Sequence, residues 1–203
     1  MGRRVDLDWN EWNPGLDTDD MTLAEVLATL PAAAAADVPA IIRKYENPES
    51  PDALPGAIDL DRHDCIHVLL GRGLHVQDEA FVIGATMGAA SDITGEIVDF
   101  FVEISTTQYP KHWRFEQEHI PSFRLGVGFA MDNLAGKDLH LIPLEGPEWQ
   151  GKTVRAARKA LGIVKEELRA YFRKAELLVP GTPASRRLDT SAQRSDGQLN
   201  QPD

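Results

Sequence analysis

The residues with the clearest potential for chemistry are His63, Asp64 and His67, which are followed twelve residues later by Glu79. At 100° per residue along an α-helix, the side chains of the first three lie at about 0°, 100° and 40°, on one side of the helix. Imidazole and carboxylate groups together suit zinc, manganese or iron(II) and are a poor ligand set for calcium. The spacing therefore predicts a divalent metal site built from one stretch of helix and from Glu79.

The residues around these candidate ligands are mostly apolar, among them Cys65, Ile66 and Val68. A helix that is apolar nearly all round is buried, and a buried charge without a partner costs roughly several kcal/mol or more. A metal would satisfy these groups, and a buried polar network without a metal is the alternative explanation. Cys65 points about 200° away from His63 around the helix, which predicts a buried structural thiol and not a nucleophile.

The elements that must position these residues are helical. Apolar residues recur at helical spacing along most of the chain, and no alternating strand pattern appears. We predict an all-α, single-domain helical bundle in which two buried helices, at about 58–70 and 79–90, carry the metal motif. Glycines at 71 and 73 predict the end of the first helix. Asp78 is the predicted cap of the second, so that Glu79 folds back over the first.

The outer parts of the chain divide it into three regions. Residues 1–19 are predicted to form an N-terminal arm, and residues 20–179 the helical metal-binding domain. Residues 180–203, rich in Pro, Ser, Asp, Gln and Gly, are predicted to be a disordered tail. Thr22 and Glu25 have the spacing of a capping box, which predicts that a helix begins there.

The composition limits the possible functions. The chain has 203 residues with a net charge of −11, and such an acidic protein is a poor candidate for binding nucleic acid. Hydrophobic residues make up 42% and the mean hydropathy is −0.30, as in a soluble globular protein. The N-terminus has no apolar signal region, and its acidic residues argue against a mitochondrial transit peptide. These features predict a cytoplasmic protein.

The ligand spacing also resembles a known family. His63-Asp64-x-x-His67, eleven further residues and Glu79 match the signature of the coenzyme Q biosynthesis protein four family, which acts in the ubiquinone pathway. The Leu-Gly turn that ends residues 68–71 is similar to the same family.

Weaker similarity to this family continues towards the C-terminus. Trp149, Arg155-x-x-Arg158 and residues 161–163 are similar to the family's C-terminal region, so that the resemblance covers roughly residues 57–165. The chain departs from the family in having Asp78 before the last ligand, where the family has glycine. It also lacks the transit peptide of mitochondrial members, which suggests a bacterial-type cytosolic member.

The resemblance implies a helical fold with a bound divalent metal, usually zinc, held by His63, Asp64, His67 and Glu79. It implies removal of the ring carboxylate, with hydroxylation, from a polyprenyl-hydroxybenzoate intermediate. The expected partners are a prenylated aromatic or isoprenoid lipid, other quinone-biosynthesis proteins and a second copy of the chain. The expected location is the cytoplasm, at the inner face of the membrane.

Two other functions remain open. One is a non-catalytic, prenyl-lipid-binding scaffold for a quinone biosynthetic complex. The other is a metallopeptidase, whose His-Glu-x-x-His motif this chain approaches with the shorter Asp64 in place of Glu. With iron(II) the same ligands would suit oxygen chemistry, whereas zinc or manganese would act as a Lewis acid on the carboxylate or phenol oxygen.

Two sets of residues are candidates for binding the substrate. Arg72 lies at the turn next to the predicted metal site, and Arg114 lies in a basic cluster with Lys111 and His112. Guanidinium groups suit carboxylate and phosphate recognition, so both arginines are candidate contacts for an anionic head group. The four glycines of the central helices either leave a groove for a prenyl tail or allow close helix packing; they are Gly84, Gly88, Gly126 and Gly128.

Overall fold

The structure is a computed structural model that describes residues 11–31, 38–111 and 113–186. Within these ranges it contains nine α-helices and one 3₁₀ turn, and its only strand-like pairing is an isolated bridge between Thr22 and Thr153. The prediction of an all-α fold is therefore confirmed. In chain order the helices are α1 (Leu23–Leu27), α2 (Ala40–Glu46), α3 (Leu60–Leu70), α4 (Val76–Ala89), α5 (Gly95–Thr107), α6 (Ile120–Asn133), α7 (Pro147–Gln150), α8 (Val154–Leu161) and α9 (Lys165–Leu178).

The two helices that carry the metal motif are α3 and α4. Helix α3 ends at Gly71, whose φ of 68° lies in the left-handed region that glycine adopts without strain. Helix α4 begins at Val76, one turn earlier than predicted, and its N-cap residue is His75, not Asp78. The carbonyl oxygen of His75 accepts the amides of Asp78 and Glu79, at 2.7 and 2.9 Å. Glu79 thus lies in the first turn of α4.

Helices α4 and α6 are in direct backbone contact. A Cβ atom at Gly84 would lie 2.2 Å from the carbonyl oxygen of Phe123, and one at Gly126 would lie 2.1 Å from that of Phe81. Gly88 is in a similarly tight contact with α6. For these three glycines the structure therefore shows close packing, and any larger residue would force the helices apart. A Cβ atom at Gly128 would come no closer than 4.0 Å, to the hydroxyl of Tyr171, so close packing does not explain this fourth glycine.

The N-terminal residues 11–22 pack against α8, far away in the sequence. Trp12 and Leu16 are buried, and the Leu23 amide donates to the carbonyl oxygen of Lys152 over 3.0 Å. Asp19 accepts from the guanidinium of Arg158 at 2.8 Å, and the same guanidinium donates to two carbonyl oxygens near the end of α3. The described part of the predicted arm is thus joined to the domain and to α3.

The beginning of the predicted C-terminal tail is also packed. Ala184 and Ser185 are buried, and the Thr182 hydroxyl donates to the amide oxygen of Gln77 in α4 over 2.6 Å. The rest of the predicted tail, residues 187–203, lies outside the described residues, as do residues 1–10 of the predicted arm.

None of the helices in the described part of the chain is both long enough and apolar enough to cross a bilayer.

Candidate metal centre

Three of the four predicted ligands meet at one point between α3 and α4. His63 Nε2 lies 3.0 Å from His67 Nε2 and 3.1 Å from Glu79 Oε2, and His67 Nε2 lies 3.4 Å from the same oxygen. Zinc bonds of about 2.0–2.1 Å place neighbouring ligands of a tetrahedral site about 3.3 Å apart. The three atoms are therefore spaced like three corners of such a site. We call this set, His63, His67 and Glu79, the metal group.

The metal group is open on one side. The side chain of His67 is 1% exposed, whereas those of His63 and Glu79 are 15% and 31% exposed. Structural zinc sites use four protein ligands, and catalytic sites use three with one position left for water or substrate. The metal group has the number of protein ligands of the second arrangement, and Asp64 as a fourth ligand would give it that of the first.

The orientation of His67 is set by the turn that follows its helix. Its Nδ1 lies 3.3 Å from the carbonyl oxygen of Arg72, which can only accept a hydrogen bond. Nδ1 must therefore carry the hydrogen in this contact, which leaves the Nε2 lone pair directed into the metal group. Metal-binding histidines are commonly oriented in this way by a backbone carbonyl.

The charges within the metal group act strongly on one another. Burial alone would lower the pKa of His67, but the charge and hydrogen bond of Glu79, together with the charge on Asp64, raise it above its usual value. Burial would raise the pKa of Glu79, and the two histidines instead hold it well below its usual range. Without a metal, His67 therefore keeps a proton to higher pH than an ordinary histidine, and Glu79 keeps its charge to lower pH than an ordinary glutamate. A metal would replace that proton.

Asp64 lies beside the metal group but is not part of it. The three ligand atoms that lie within 4.8 Å of one another do not include its carboxylate. Burial raises its pKa, and the charges of His63 and His67 act in the opposite direction. Its role as a fourth ligand, which the resemblance implies, stays a prediction.

Arg72, the first candidate for a substrate contact, is inside the fold. Its guanidinium is 1% exposed, lies 3.6 Å from the carboxylate of Asp78, and is stacked between the rings of Phe81 and Phe172 at 3.9 and 3.7 Å. Asp78, where the family has glycine, is itself fully buried. The structure thus places Arg72 in an ion pair in the core.

Arg114, the second candidate, is exposed, and its Nε donates to the carbonyl oxygen of Tyr109 over 3.0 Å. Its neighbour Lys111 is also exposed, whereas His112 lies outside the described residues. A role for Arg114 in substrate binding stays a prediction.

Cys65 has the position predicted for it. Its side chain is fully buried, and its thiol donates to the carbonyl oxygen of Asp61 at 3.3 Å. Burial raises the pKa of this thiol to about 12, so it stays protonated and is not a metal ligand or nucleophile at neutral pH.

The sequence did not single out Glu46 and Tyr109, whose side chains the structure brings together. Glu46, at the end of α2, is half-buried, and its Oε1 accepts a hydrogen bond from the hydroxyl of Tyr109 at 2.5 Å. The charges on His63 and Glu79 both act on its carboxyl group. No sequence signal connects these residues, because Glu46 and Tyr109 are 63 positions apart and lie outside the metal motif.

Comparison with known proteins adds no identification. No family model, no curated protein and no solved structure matches this chain.

Proposed function

We propose that the protein binds one divalent metal, preferably zinc, through His63, His67 and Glu79, and removes the ring carboxylate of a prenylated hydroxybenzoate. The observation that carries the proposal is the metal group itself, whose three ligand atoms lie 3.0–3.4 Å apart on an accessible side of the fold. When bound, such a metal supplies a Lewis acid that stabilises negative charge on a carboxylate or phenol oxygen.

The protein residues have separate tasks in this proposal. His67 is fixed by the Arg72 carbonyl and offers its Nε2 lone pair. Glu79 contributes one negative charge, so a divalent metal held by the metal group alone would keep one positive charge, provided that Asp64 beside it is protonated. Such a site attracts an anionic substrate such as a benzoate. The substrate class itself rests on the resemblance of residues 57–165 to the ubiquinone-pathway family.

Metal content is the first test. We expect the purified protein to contain about one divalent metal per chain, and His67→Ala to reduce that content to near zero, because only two ligands remain. His119→Gln is the matched control, since His119 lies at the start of α6 and its Nδ1 accepts the amide of Glu116. Elemental analysis that finds no metal in the wild-type protein, or full metal content in His67→Ala, would refute the site.

Turnover is the second test. The zinc-loaded protein is incubated with a prenylated hydroxybenzoate, and mass spectrometry measures loss of the carboxylate. The expected result is decarboxylation by the wild-type protein and none by His67→Ala. Tight binding of the substrate without any loss of carboxylate would refute the catalytic proposal. That result would favour the non-catalytic scaffold, in which the metal anchors the head group.

A further inference from the structure

A cavity of about 520 Å³ lies where α8 and the start of α9 meet Asp19. Its wall carries two acidic side chains, Asp19 and Glu166, and five cationic ones, which are Arg155, Arg158, Lys159, Lys165 and Arg169. The chain as a whole has a net charge of −11, so the wall of this cavity has the opposite sign of charge to the protein. Its volume lies within the range of about 300–1,000 Å³ that is usual for ligand sites.

The inner wall of the cavity is fixed by Arg158, whose side chain is 3% exposed. Its guanidinium donates to the carbonyl oxygens of Leu69 and Val68 at 2.8 and 3.2 Å, and to Oδ1 of Asp19 at 2.8 Å. These bonds hold the side chains of Arg158 and Asp19 in place within the fold itself. A ligand would therefore not have to order this part of the wall when it binds.

The other inner cations share two aspartates. Nζ of Lys165 lies 2.8 Å from Oδ2 of Asp19 and 3.1 Å from Oδ1 of Asp17. A guanidinium nitrogen of Arg169 lies 3.5 Å from the same oxygen of Asp17. Glu166 lies 3.9 Å from Arg169 and is 75% exposed, so solvent screens its charge. With the buried arginine, three inner cations thus face two aspartates, and their positive charge is not fully balanced.

Lys159 adds positive charge that no carboxylate balances. It is exposed and forms no ion pair with any residue that the structure describes. Arg155, by contrast, is paired with Asp20 at 2.9 Å, and both of these side chains are largely exposed. Gly162, with a φ of 77°, ends α8 and turns the chain into α9, so that Lys159 and Lys165 line the same cavity.

The N-terminus of α9 forms part of the same wall. Residues 164–166 line the cavity, and the N-cap residue, Val164, makes no side-chain hydrogen bond to the helix. The first amides of a helix have no acceptor within the helix and carry partial positive charge. Together with the cationic side chains around them, these amides form a set of donors that suits an anion with several oxygens.

We propose that this cavity binds a phosphate group, with Lys159, Lys165 and Arg169 as its cationic contacts and the first amides of α9 as further donors. A phosphate group carries up to about two negative charges and has three acceptor oxygens, which a singly charged carboxylate cannot match. The site shares no residue with the metal group and does not depend on the proposed function.

Calorimetric titration with inorganic phosphate at constant ionic strength tests the site in the zinc-loaded protein. We expect Lys159→Gln to weaken binding about tenfold and Lys159→Glu to weaken it further, because hydrogen bonds to charged groups contribute strongly. Lys137→Glu is the matched control and should bind phosphate as the wild type does. Lys137 is also exposed, forms no ion pair with the described residues, and lies outside the wall of the cavity. Equal phosphate binding by the wild type and both Lys159 variants would refute the site.

The same titration of His67→Ala separates this cavity from the metal group. Phosphate oxygens can also bind to a metal, and this variant is expected to hold none. We expect His67→Ala to bind phosphate as tightly as the wild type does. Loss of phosphate binding in His67→Ala would place the anion on the metal and would overturn the proposal.

A second set of measurements distinguishes the two sources of a phosphate group. Vesicles that contain phosphatidic acid present the group on a lipid, and their sedimentation with the protein is compared with that of phosphatidylcholine vesicles. Binding to phosphatidic acid that Lys159→Glu abolishes, without binding of inorganic phosphate, would support the site and assign it to a lipid head group. Binding of inorganic phosphate that Lys159→Glu weakens would support a soluble phosphate compound. A wild-type protein that binds neither would refute the proposal.

Discussion

Two groups of polar side chains lie on α3, on α4 and on the turn between them, and they differ in how far they are exposed to solvent. The metal group lies at the accessible edge of α3 and α4, with Glu79 31% exposed. The second group is the ion pair between Arg72 and Asp78, the residue directly before Glu79. Both side chains are at most 1% exposed, and the rings of Phe81 and Phe172 enclose the guanidinium. Consecutive residues of a helix point about 100° apart, so Asp78 and Glu79 face different surroundings.

Burial thus gives the neighbouring carboxylates of Asp78 and Glu79 different roles. A closed ion pair cannot exchange partners with a ligand, so its effect is on stability and on the position of the turn that holds His67. An accessible group of three candidate ligands can accept a metal ion. Changes to each region should therefore affect different measurements.

The largest expected effect is on the closed pair. Asp78→Ala leaves the Arg72 guanidinium buried without its carboxylate, and breaking a buried ion pair in this way costs about 3–5 kcal/mol. We expect the free energy of unfolding, measured by urea denaturation of the metal-free protein, to fall by that amount. The double change Arg72→Met with Asp78→Leu should recover most of the loss. A single variant as stable as the wild type would contradict the role assigned to the pair.

The reverse pattern is expected for the open group. His63→Ala should lower zinc affinity at least about 100-fold, since loss of even an outer-shell partner costs 10–100-fold. Its effect on the unfolding free energy of the metal-free protein should be smaller than that of Asp78→Ala. Competition with a chromogenic chelator measures the affinity. If His63→Ala and Asp78→Ala lowered the zinc affinity equally, the ion pair in the core would also determine metal binding, which would contradict the comparison.

Without a metal, the open group should also respond to pH. The attraction between protonated His67 and ionised Glu79 is lost as pH rises through the raised pKa of His67, and as pH falls through the lowered pKa of Glu79. As pH rises from the ordinary histidine range through the raised pKa of His67, we expect the unfolding free energy to fall by on the order of 1–2 kcal/mol, the contribution of a charge-assisted hydrogen bond. Zinc displaces the proton, so the zinc-loaded protein should lack this component. His67→Gln should lack it in both forms.

The smallest effect is expected for an ion pair at the surface beside α3. Arg62 makes two contacts with the carboxylate of Glu145, at 2.8 and 2.9 Å, and the Glu145 side chain is 34% exposed. Pairs of this kind contribute about 0–1 kcal/mol, so Glu145→Gln should change the midpoint of thermal unfolding only slightly and leave zinc affinity unchanged. A loss comparable to that of Asp78→Ala would show that exposure is not what distinguishes the two regions.

The helical fold and the grouping of His63, His67 and Glu79 could be predicted from the sequence because their signals are local. The spacing of His63 and His67 is a property of one helix, and the glycine at 71 determines where that helix ends. The start of α4 was misplaced because Asp78 looks like a capping residue. In the structure its carboxylate instead pairs with Arg72 in the core, and the backbone of His75 opens the helix.

The contacts that could not be predicted join distant parts of the chain. The stacking of Arg72 on Phe172 depends on how α9 packs, and the bond between Glu46 and Tyr109 depends on the positions of both α2 and α5. No spacing rule connects such residues, since tertiary packing alone brings them together.

The attachment of residues 11–22 to α8 has a consequence for folding kinetics. Asp19 and Arg158 are separated by 139 positions, and that arginine also bonds the carbonyl oxygens at the end of α3. Contacts between such distant residues require a costly loop closure first, which slows folding. During synthesis residues 11–22 must therefore wait for α8, and the helix that bears both histidines is secured only when these two segments meet.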